Sequence, residues 1–325
     1  MNSIFVDDHE GFGRPLKRTR PRTKDRPDYS ALPVGRVLTI DRGRYRCMVD
    51  DVQVSAIKAR ALGRKSVIVG DLVRLDGDVT GKAGSLARIA EVDQRRTVLR
   101  RTADDDDPFE RPIVANADQL VIVVALADPE PKMGIIDRIL VAGYDAGLDP
   151  LLCLTKADLA PAEELIEAYD PLGIPCFVLH AGGDLEPLRG HLMGHVSVFI
   201  GHSGVGKSTL VNALIPSAAR RTGQVNDVTG KGRHTSTSAI ALELDCGGWV
   251  IDTPGLRSFG LKHVDPDHVL AAFVDLTVIA DDCPRGCTHH SDQPECALDE
   301  AVRSGGLASA RLDSFRRMEL SRVSW

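Results

Sequence analysis

The sequence predicts a multidomain chain with three parts: a small β-barrel, an α/β P-loop domain whose motifs run in circularly permuted order, and a C-terminal part organised by a cysteine cluster. Three observations carry this. A phosphate-binding loop, GHSGVGKST from Gly201 to Thr209, sits mid-chain, with TKAD (Thr155 to Asp158) before it and DTPG (Asp252 to Gly255) after it. Short alternating segments give way, from Gln119, to strands separated by helical stretches. Cys283, Cys287 and Cys296 gather near the C-terminus around His289 and His290.

Taken in order, residues 1–32 read as a disordered basic tail, because Arg14 to Arg26 carries seven Lys/Arg against one acid in a Pro-containing, aromatic-poor stretch. Residues 33–102 read as the barrel. From Arg44 to Val49, Tyr45, Cys47 and Val49 alternate with Arg44, Arg46 and Met48, and Val69 to Leu75 repeats the strand-like habit around a Gly-Asp turn. Periodicity alone does not separate an OB-fold from another small barrel. Residues 103–111, with an acidic run from Asp104 to Asp107 followed by Pro108, read as a linker. Within 112–262, QLVIVVAL, PLLCLT, PCFVLHA and HVSVFI read as strands, and IIDRILVAGYDAG, AEELIEAYDPLG and KSTLVNALI as helices. IALELDCGGWVID reads as a hairpin about Cys246-Gly-Gly. This alternation implies βαβ units and a mainly parallel sheet. Residues 263–325 hold the cysteine cluster.

The motifs carry nucleotide chemistry. Gly201, Gly206, Lys207 and Ser208 fit GxxxxGK[ST], in which glycines let backbone N–H groups wrap phosphates, the lysine reaches the β/γ oxygens and the hydroxyl binds Mg²⁺. His202, Ser203, Gly204, Val205 and Thr209 complete the cradle, and the following helix aims its N-terminus at the phosphates. Asp158, at the carboxyl end of a strand, can accept from guanine N1–H and the exocyclic amine, a pattern adenine does not present. Lys156 lies along the base, and Thr155 replaces the usual asparagine, weakening only an auxiliary contact. Asp252 reaches Mg²⁺ through water and the Gly255 N–H contacts the γ-phosphate. An ordinary GTPase places its [NT]KxD motif last, so this chain reads as a circularly permuted GTPase.

Leu256 stands where many GTPases carry the glutamine that orients the attacking water, and an apolar side chain cannot do that. GRHTST, Gly232 to Thr237, lies where a switch loop belongs: Thr235 or Thr237 supplies a hydroxyl to Mg²⁺, and His234 can orient water. The stretch from Arg220 to Gly232 reads as a mobile loop that orders on the γ-phosphate. His180-Ala181 falls where GTPases often carry a Ser-Ala contact to the base. Near the C-terminus, three thiolates and an imidazole match a closed tetrahedral Cys₃His site, structural and not catalytic. Its ligands are expected to be Cys283, Cys287, His289 and Cys296, with His290 an open alternative to His289.

These motifs, in this order, resemble the RsgA (YjeQ/EngC) family of bacterial GTPases dependent on the small ribosomal subunit, over about residues 31–320. The resemblance implies an N-terminal OB-fold, a permuted GTPase domain and a mainly helical C-terminal domain with one structural Zn²⁺. It implies Mg²⁺ with GTP, a role in late small-subunit maturation with hydrolysis stimulated by that subunit, and a catalytic part for His234 beside Lys207. The family spaces its zinc ligands C-x₄-C-x-H-x₅-C. Here three residues separate Cys283 from Cys287 and six separate His289 from Cys296.

At 325 residues and 43% apolar composition the chain is of globular type. No apolar run approaches the roughly 20 residues of a membrane span, and the acidic start lacks a signal-peptide core, so a cytoplasmic monomer with no membrane partner is expected. Seven cysteines suit a reducing compartment, with Cys47, Cys153, Cys176 and Cys246 in strand-like contexts where buried thiols are common. A net charge of −6 gives no global field for RNA, so local patches such as the basic tail must bind rRNA phosphates. Two other classes compete: an RNA-binding scaffold with incidental nucleotide binding, and an ATP-using P-loop enzyme, against which TKAD and DTPG argue together.

Overall fold

The computed structural model describes residues 28–63, 66–102, 109–216, 239–255, 260–261, 263–291 and 293–323. Residues 1–27 of the basic tail, the acidic run, the switch segment with His234, Thr235 and Thr237, and Leu256 all lie outside the described residues.

Five strands close the N-terminal barrel: β1 (Val34–Asp41), β2 (Arg44–Val49), β3 (Val52–Lys58), β4 (Leu72–Gly77) and β5 (Ala87–Val92). Their order is β1-β2-β3-β5-β4, closed by antiparallel β1–β4 pairing, with β3 and β5 parallel. That is the Greek-key connectivity of an OB-fold. The expected alternation holds, with Tyr45, Cys47 and Val49 buried among Val37, Val54, Leu75 and Ile89. The expected Gly-Asp turn precedes β4, and Val69 ahead of it joins the barrel to the next domain. Val69 bridges Val114, and Gly70, at φ +90°, lies so close to Ala115 that a Cβ there would sit 2.0 Å from its carbonyl oxygen. Fully buried Asp71 accepts from the Ile68 N–H (2.7 Å) and pairs with Arg95 (2.6 Å). Buried Asp71 is thus fully partnered at this joint.

The residues flanking the acidic run pair as an antiparallel ribbon, β6 (Val98–Arg101) and β7 (Arg111–Ala115). Leu38 and Val69 from the barrel, Leu99 and Val114 from the ribbon, and Leu120 and Ile122 from the next sheet share one apolar core.

That sheet contains β8 (Gln119–Ala125), β9 (Asp149–Thr155), β10 (Cys176–Val178), β11 (Val196–Gly201), β12 (Ile240–Glu243) and β13 (Trp249–Asp252), in the order β10-β9-β8-β11-β13-β12. All neighbours are parallel except β12, the antiparallel arm of the expected hairpin. β8 is buried at every position, as a central parallel strand covered on both faces must be. The helices α1 (Met133–Asp145), α2 (Glu163–Tyr169), α3 (Glu186–Leu192) and α4 (Lys207–Leu214) connect these strands. Cys47 and Cys153 are buried as expected, whereas Cys176 and Cys246 are exposed, since one lies on edge strand β10 and the other in the hairpin turn.

The C-terminal part is helical: α5 (Pro266–Ala271), α6 (Val274–Ala280), α7 (Ala297–Arg303) and α8 (Ser309–Val323). Helix α8 acts as a clasp. Arg311 pairs with Asp275 of α6 and donates to Pro171 O, Arg316 pairs with Asp299 of α7, and Arg317 reaches Asp137 of α1 at 3.0 Å and lies over the Tyr169 ring. Apolar contact adds to these pairs, with Phe273 edge-on to both Tyr144 and Phe315 at 5.5 Å. No described helix is long and apolar enough to cross a membrane.

Asp137 is 2% exposed, and its burial raises the carboxyl above its usual range even though Arg317 and the Tyr169 hydroxyl pull it down. Arg317→Ala is therefore expected to cost on the order of 2–3 kcal/mol of stability at neutral pH, by leaving that carboxylate without its cation. The folded pKa lies above the unfolded one, so on acidification the folded state takes up this proton first and the deficit shrinks. Denaturant titrations at pH 7 and near pH 5 check both the cost and its sign.

Candidate functional site

The P-loop follows β11, whose parallel neighbours β8 and β13 bring two other motifs beside it. At the root, a Cβ on Gly201 would lie 2.6 Å from Val123 O, so only glycine fits between β11 and β8. Gly204 and Gly206 both take φ +87°, the left-handed conformation that turns the chain into α4. Gly206 caps α4 without a side-chain partner, so the first-turn amides of Lys207, Ser208 and Thr209 have no intrahelical acceptor. These orphan donors suit phosphate oxygens.

The Lys207 ammonium is nearly buried and bridges the Asp252 carboxylate and the Thr253 carbonyl. The Asp252 carboxylate is thus already a cation's seat beside the loop, and with the Ser208 hydroxyl it makes a hard-oxygen set that suits Mg²⁺. Thr253 anchors this end of β13 by donating to Phe199 O at 2.7 Å. Gly255 passes close enough to the loop that a Cβ would meet Ser203 Cα at 3.2 Å. His202, Ser203, Gly204, Gly206, Lys207, Ser208, Thr209, Asp252 and Gly255 line one open cleft, together with Lys156, Thr253 and Pro254. Gly201 and Val205 form its buried root.

A second hollow continues from the first through Lys156, Gly206 and Thr209. Asp158, His180 and Ala181 line it together with Leu159, Leu179, Leu185, Leu210 and Ala213. These apolar walls escaped the motif reading; their only signal was that they flank TKAD, His180-Ala181 and the P-loop helix. Lys156, at φ +58°, donates from Nζ to the Asp128 carbonyl. Thr155 is buried, and its hydroxyl donates to Val205 O at 2.6 Å, with Val124 O at 3.2 Å. It ties the TKAD strand to the P-loop, a structural use that the motif alone did not disclose.

In the C-terminal part, Cys283, Cys287, His289 and Cys296 converge, with their ligand atoms within 4.8 Å of one another. His289 Nδ1 lies 3.6, 3.5 and 3.9 Å from the three sulfurs in turn. Tetrahedral zinc with Zn–S near 2.3 Å and Zn–N near 2.0 Å sets S···N at about 3.5 Å, so the donor set fits that ion. Burial, and then the Arg316 guanidinium, lower the His289 pKa and favour the neutral imidazole that ligates. Arg316 also holds the loop by donating to His289 O at 2.8 Å and His290 O at 3.4 Å, while the Ala297 N–H donates to Cys283 Sγ at 3.3 Å. His290 is not part of the cluster.

A phosphate loop, a DTPG turn and a TKAD strand end meeting in one cleft, with TKAD earliest in the chain, define a circularly permuted P-loop GTPase. The family model described as RsgA GTPase matches residues 92–262. A Pseudomonas aeruginosa protein named small ribosomal subunit biogenesis GTPase RsgA is 40% identical over 276 residues, covering 82% of this chain and 79% of its own. One from Vibrio vulnificus, named small ribosomal subunit biogenesis GTPase RsgA 1, is 34% identical over 87% of this chain and 82% of its own. The crystal structure of YjeQ from Thermotoga maritima superposes with a TM-score of 0.65 at 27% identity, covering 90% of this chain and 99% of that one. YloQ, titled a circularly permuted GTPase, shares the fold at a TM-score of 0.63 and 23% identity, covering 92% and 97%. The chain belongs to the RsgA family and is a GTPase.

The cluster geometry separates the two histidines. His289→Ala is expected to abolish stoichiometric metal binding, whereas His290→Ala retains it. Elemental analysis of protein purified without chelator reads the difference, and retention by His289→Ala contradicts the geometry.

Proposed function

We propose that this protein binds the small ribosomal subunit and acts in its late maturation, hydrolysing GTP to GDP and phosphate at a rate the subunit raises. The observation that carries the reading is the joining of three permuted motifs in one cleft, in a chain that also carries an OB-fold barrel and a Cys₃His cluster. Relatives named for small-subunit biogenesis support it. The protein works as a cytoplasmic monomer without a membrane partner. Its division is a basic tail at 1–32, the barrel at 33–102 facing rRNA, a linker at 103–111, the GTPase domain at 112–262 and the zinc domain at 263–325.

In the cleft, Asp158 accepts two guanine donors, Lys156 lies along the base, and Thr155 supports both from beneath. Lys207 and the amides from His202 to Thr209 hold the β- and γ-phosphates, and the Gly255 N–H meets the γ-phosphate. Ser208 and Asp252, with Thr235 or Thr237, would hold Mg²⁺, which supplies charge neutralisation to the phosphates. Leu256 has no polar group, so His234 orients the water that attacks the γ-phosphorus as the bond to the β-bridging oxygen breaks. Cys283, Cys287, His289 and Cys296 would hold one structural Zn²⁺, which cross-links the loop between α6 and α7.

Asp158→Asn is expected to lower GTP affinity on the order of a hundredfold, since two charge-assisted hydrogen bonds are altered, and to favour xanthosine triphosphate. Unchanged GTP binding with no gain for the xanthine nucleotide contradicts the base assignment.

Turnover of GTP by the full chain is expected to be slow alone and faster with purified small subunits, and His234→Ala is expected to lose on the order of a hundredfold of that rate with little change in affinity. Single-turnover assays at two salt levels test this. Equal rates with and without bound subunits leave the scaffold reading instead.

A further inference from the structure

The α5–α6 face carries an apolar stripe set in acid. Val274 and Val278 stand one helical turn apart on α6 and are 72% and 66% exposed. Their spacing places both on one face, opposite the buried Phe273 and Leu276. Exposed Ala271 and Ala272 adjoin that face, and Asp281 and Asp282 lie just past the end of α6.

The chain around the stripe is rich in aspartate. Residues 263–284 contain five aspartates, at 265, 267, 275, 281 and 282, and no lysine or arginine, with Lys262 and Arg285 just outside the segment. Asp275 turns to Arg311 on α8. Asp265 caps α5 by accepting from the Asp267 N–H at 3.0 Å. Asp281 and Asp282 have no ion pair among the described residues, and α6 has no basic residue in its last turn. Two carboxylates at the negative end of a helix dipole are unfavourable there, so local stability does not account for them.

We propose that this face docks a basic polypeptide segment, one that seats an apolar side chain between Val274 and Val278 and sets lysine or arginine against Asp281 and Asp282. Charge complementarity selects this occupant. The same carboxylates repel RNA phosphates, and a second copy of the chain would bring Asp281 and Asp282 against their like. The inference rests on the small-subunit reading above: the barrel and tail meet rRNA, and this opposite-signed face meets a basic protein of the same particle.

The test uses the full chain with a benzophenone amino acid replacing Val278, mixed with purified small subunits. Association is read first by co-sedimentation. Irradiation is expected to join position 278 to a lysine- and arginine-rich ribosomal polypeptide, identified by mass spectrometry after nuclease digestion. In parallel, Val274→Ser/Val278→Ser and Asp281→Lys variants are expected to weaken subunit binding about tenfold, with zinc content and subunit-free GTP turnover unchanged. Cross-links to rRNA, to the chain's own basic tail or to a second copy overturn the proposal, as does undiminished affinity in both variants. If the unsubstituted chain fails to co-sediment, the small-subunit reading itself fails and this one falls with it.

Discussion

The hydrogen bond from the Thr155 hydroxyl to the Val205 carbonyl joins residues 50 positions apart and makes one cleft of two motifs. Permutation puts TKAD and the P-loop on separate strands with a helix, an edge strand and a second helix between them in the chain. The sheet undoes that separation. β8 pairs in parallel with β9 on one side and β11 on the other, so Thr155 and Gly201 reach the same carboxyl edge. A buried threonine with a single hydroxyl proton then fixes the height of the loop over the strand, and the hollow beside Asp158 runs into the cleft beside Lys207 through Gly206 and Thr209.

The same permutation decides how the other domains attach. The DTPG strand β13 is the last strand of the sheet in chain order, so the chain beyond it leads straight to the C-terminal helices. Gly260 is bridged to Thr102 at the end of β6, with N–H···O distances of 3.1 and 3.3 Å, which stitches the exit from DTPG to the barrel-side ribbon. Arg36 of β1 lies over the Trp249 ring at 5.7 Å, a second link between barrel and sheet. At the far end, α8 holds α1 through Arg317, and Arg316 holds the metal-cluster loop through its carbonyls. The barrel, sheet and helices are therefore tied through polar joints as well as through a common core.

Much of this was legible in the residues. Motif order disclosed the permutation, because each motif has a fixed place at a strand end. Alternation disclosed Tyr45, Cys47 and Val49 as barrel residues, and an unbroken apolar run disclosed β8 as a strand, though not its central place. Long-range polar joints were not legible. Nothing local marks Arg311, Arg316 and Arg317 as three grips on three different helices, since on a helical surface they look like solvated charge. Val69 to Leu75 read as strand-like about a Gly-Asp turn, yet nothing local showed that Gly70 and Asp71 serve the interdomain joint. The cysteine spacing left His289 and His290 both open; only the fold, with His289 at φ +58°, turns one ring toward the sulfurs.

The most direct measurement is GTP affinity and guanine discrimination in Thr155→Val, a near-isosteric change that removes the hydroxyl and leaves the Val205 carbonyl without its donor. If this bond makes base and phosphate sites one unit, GTP affinity falls about tenfold or more, and the preference for GTP over ATP narrows with it while the fold persists by circular dichroism. Unchanged affinity together with unchanged discrimination in a folded variant contradicts the account.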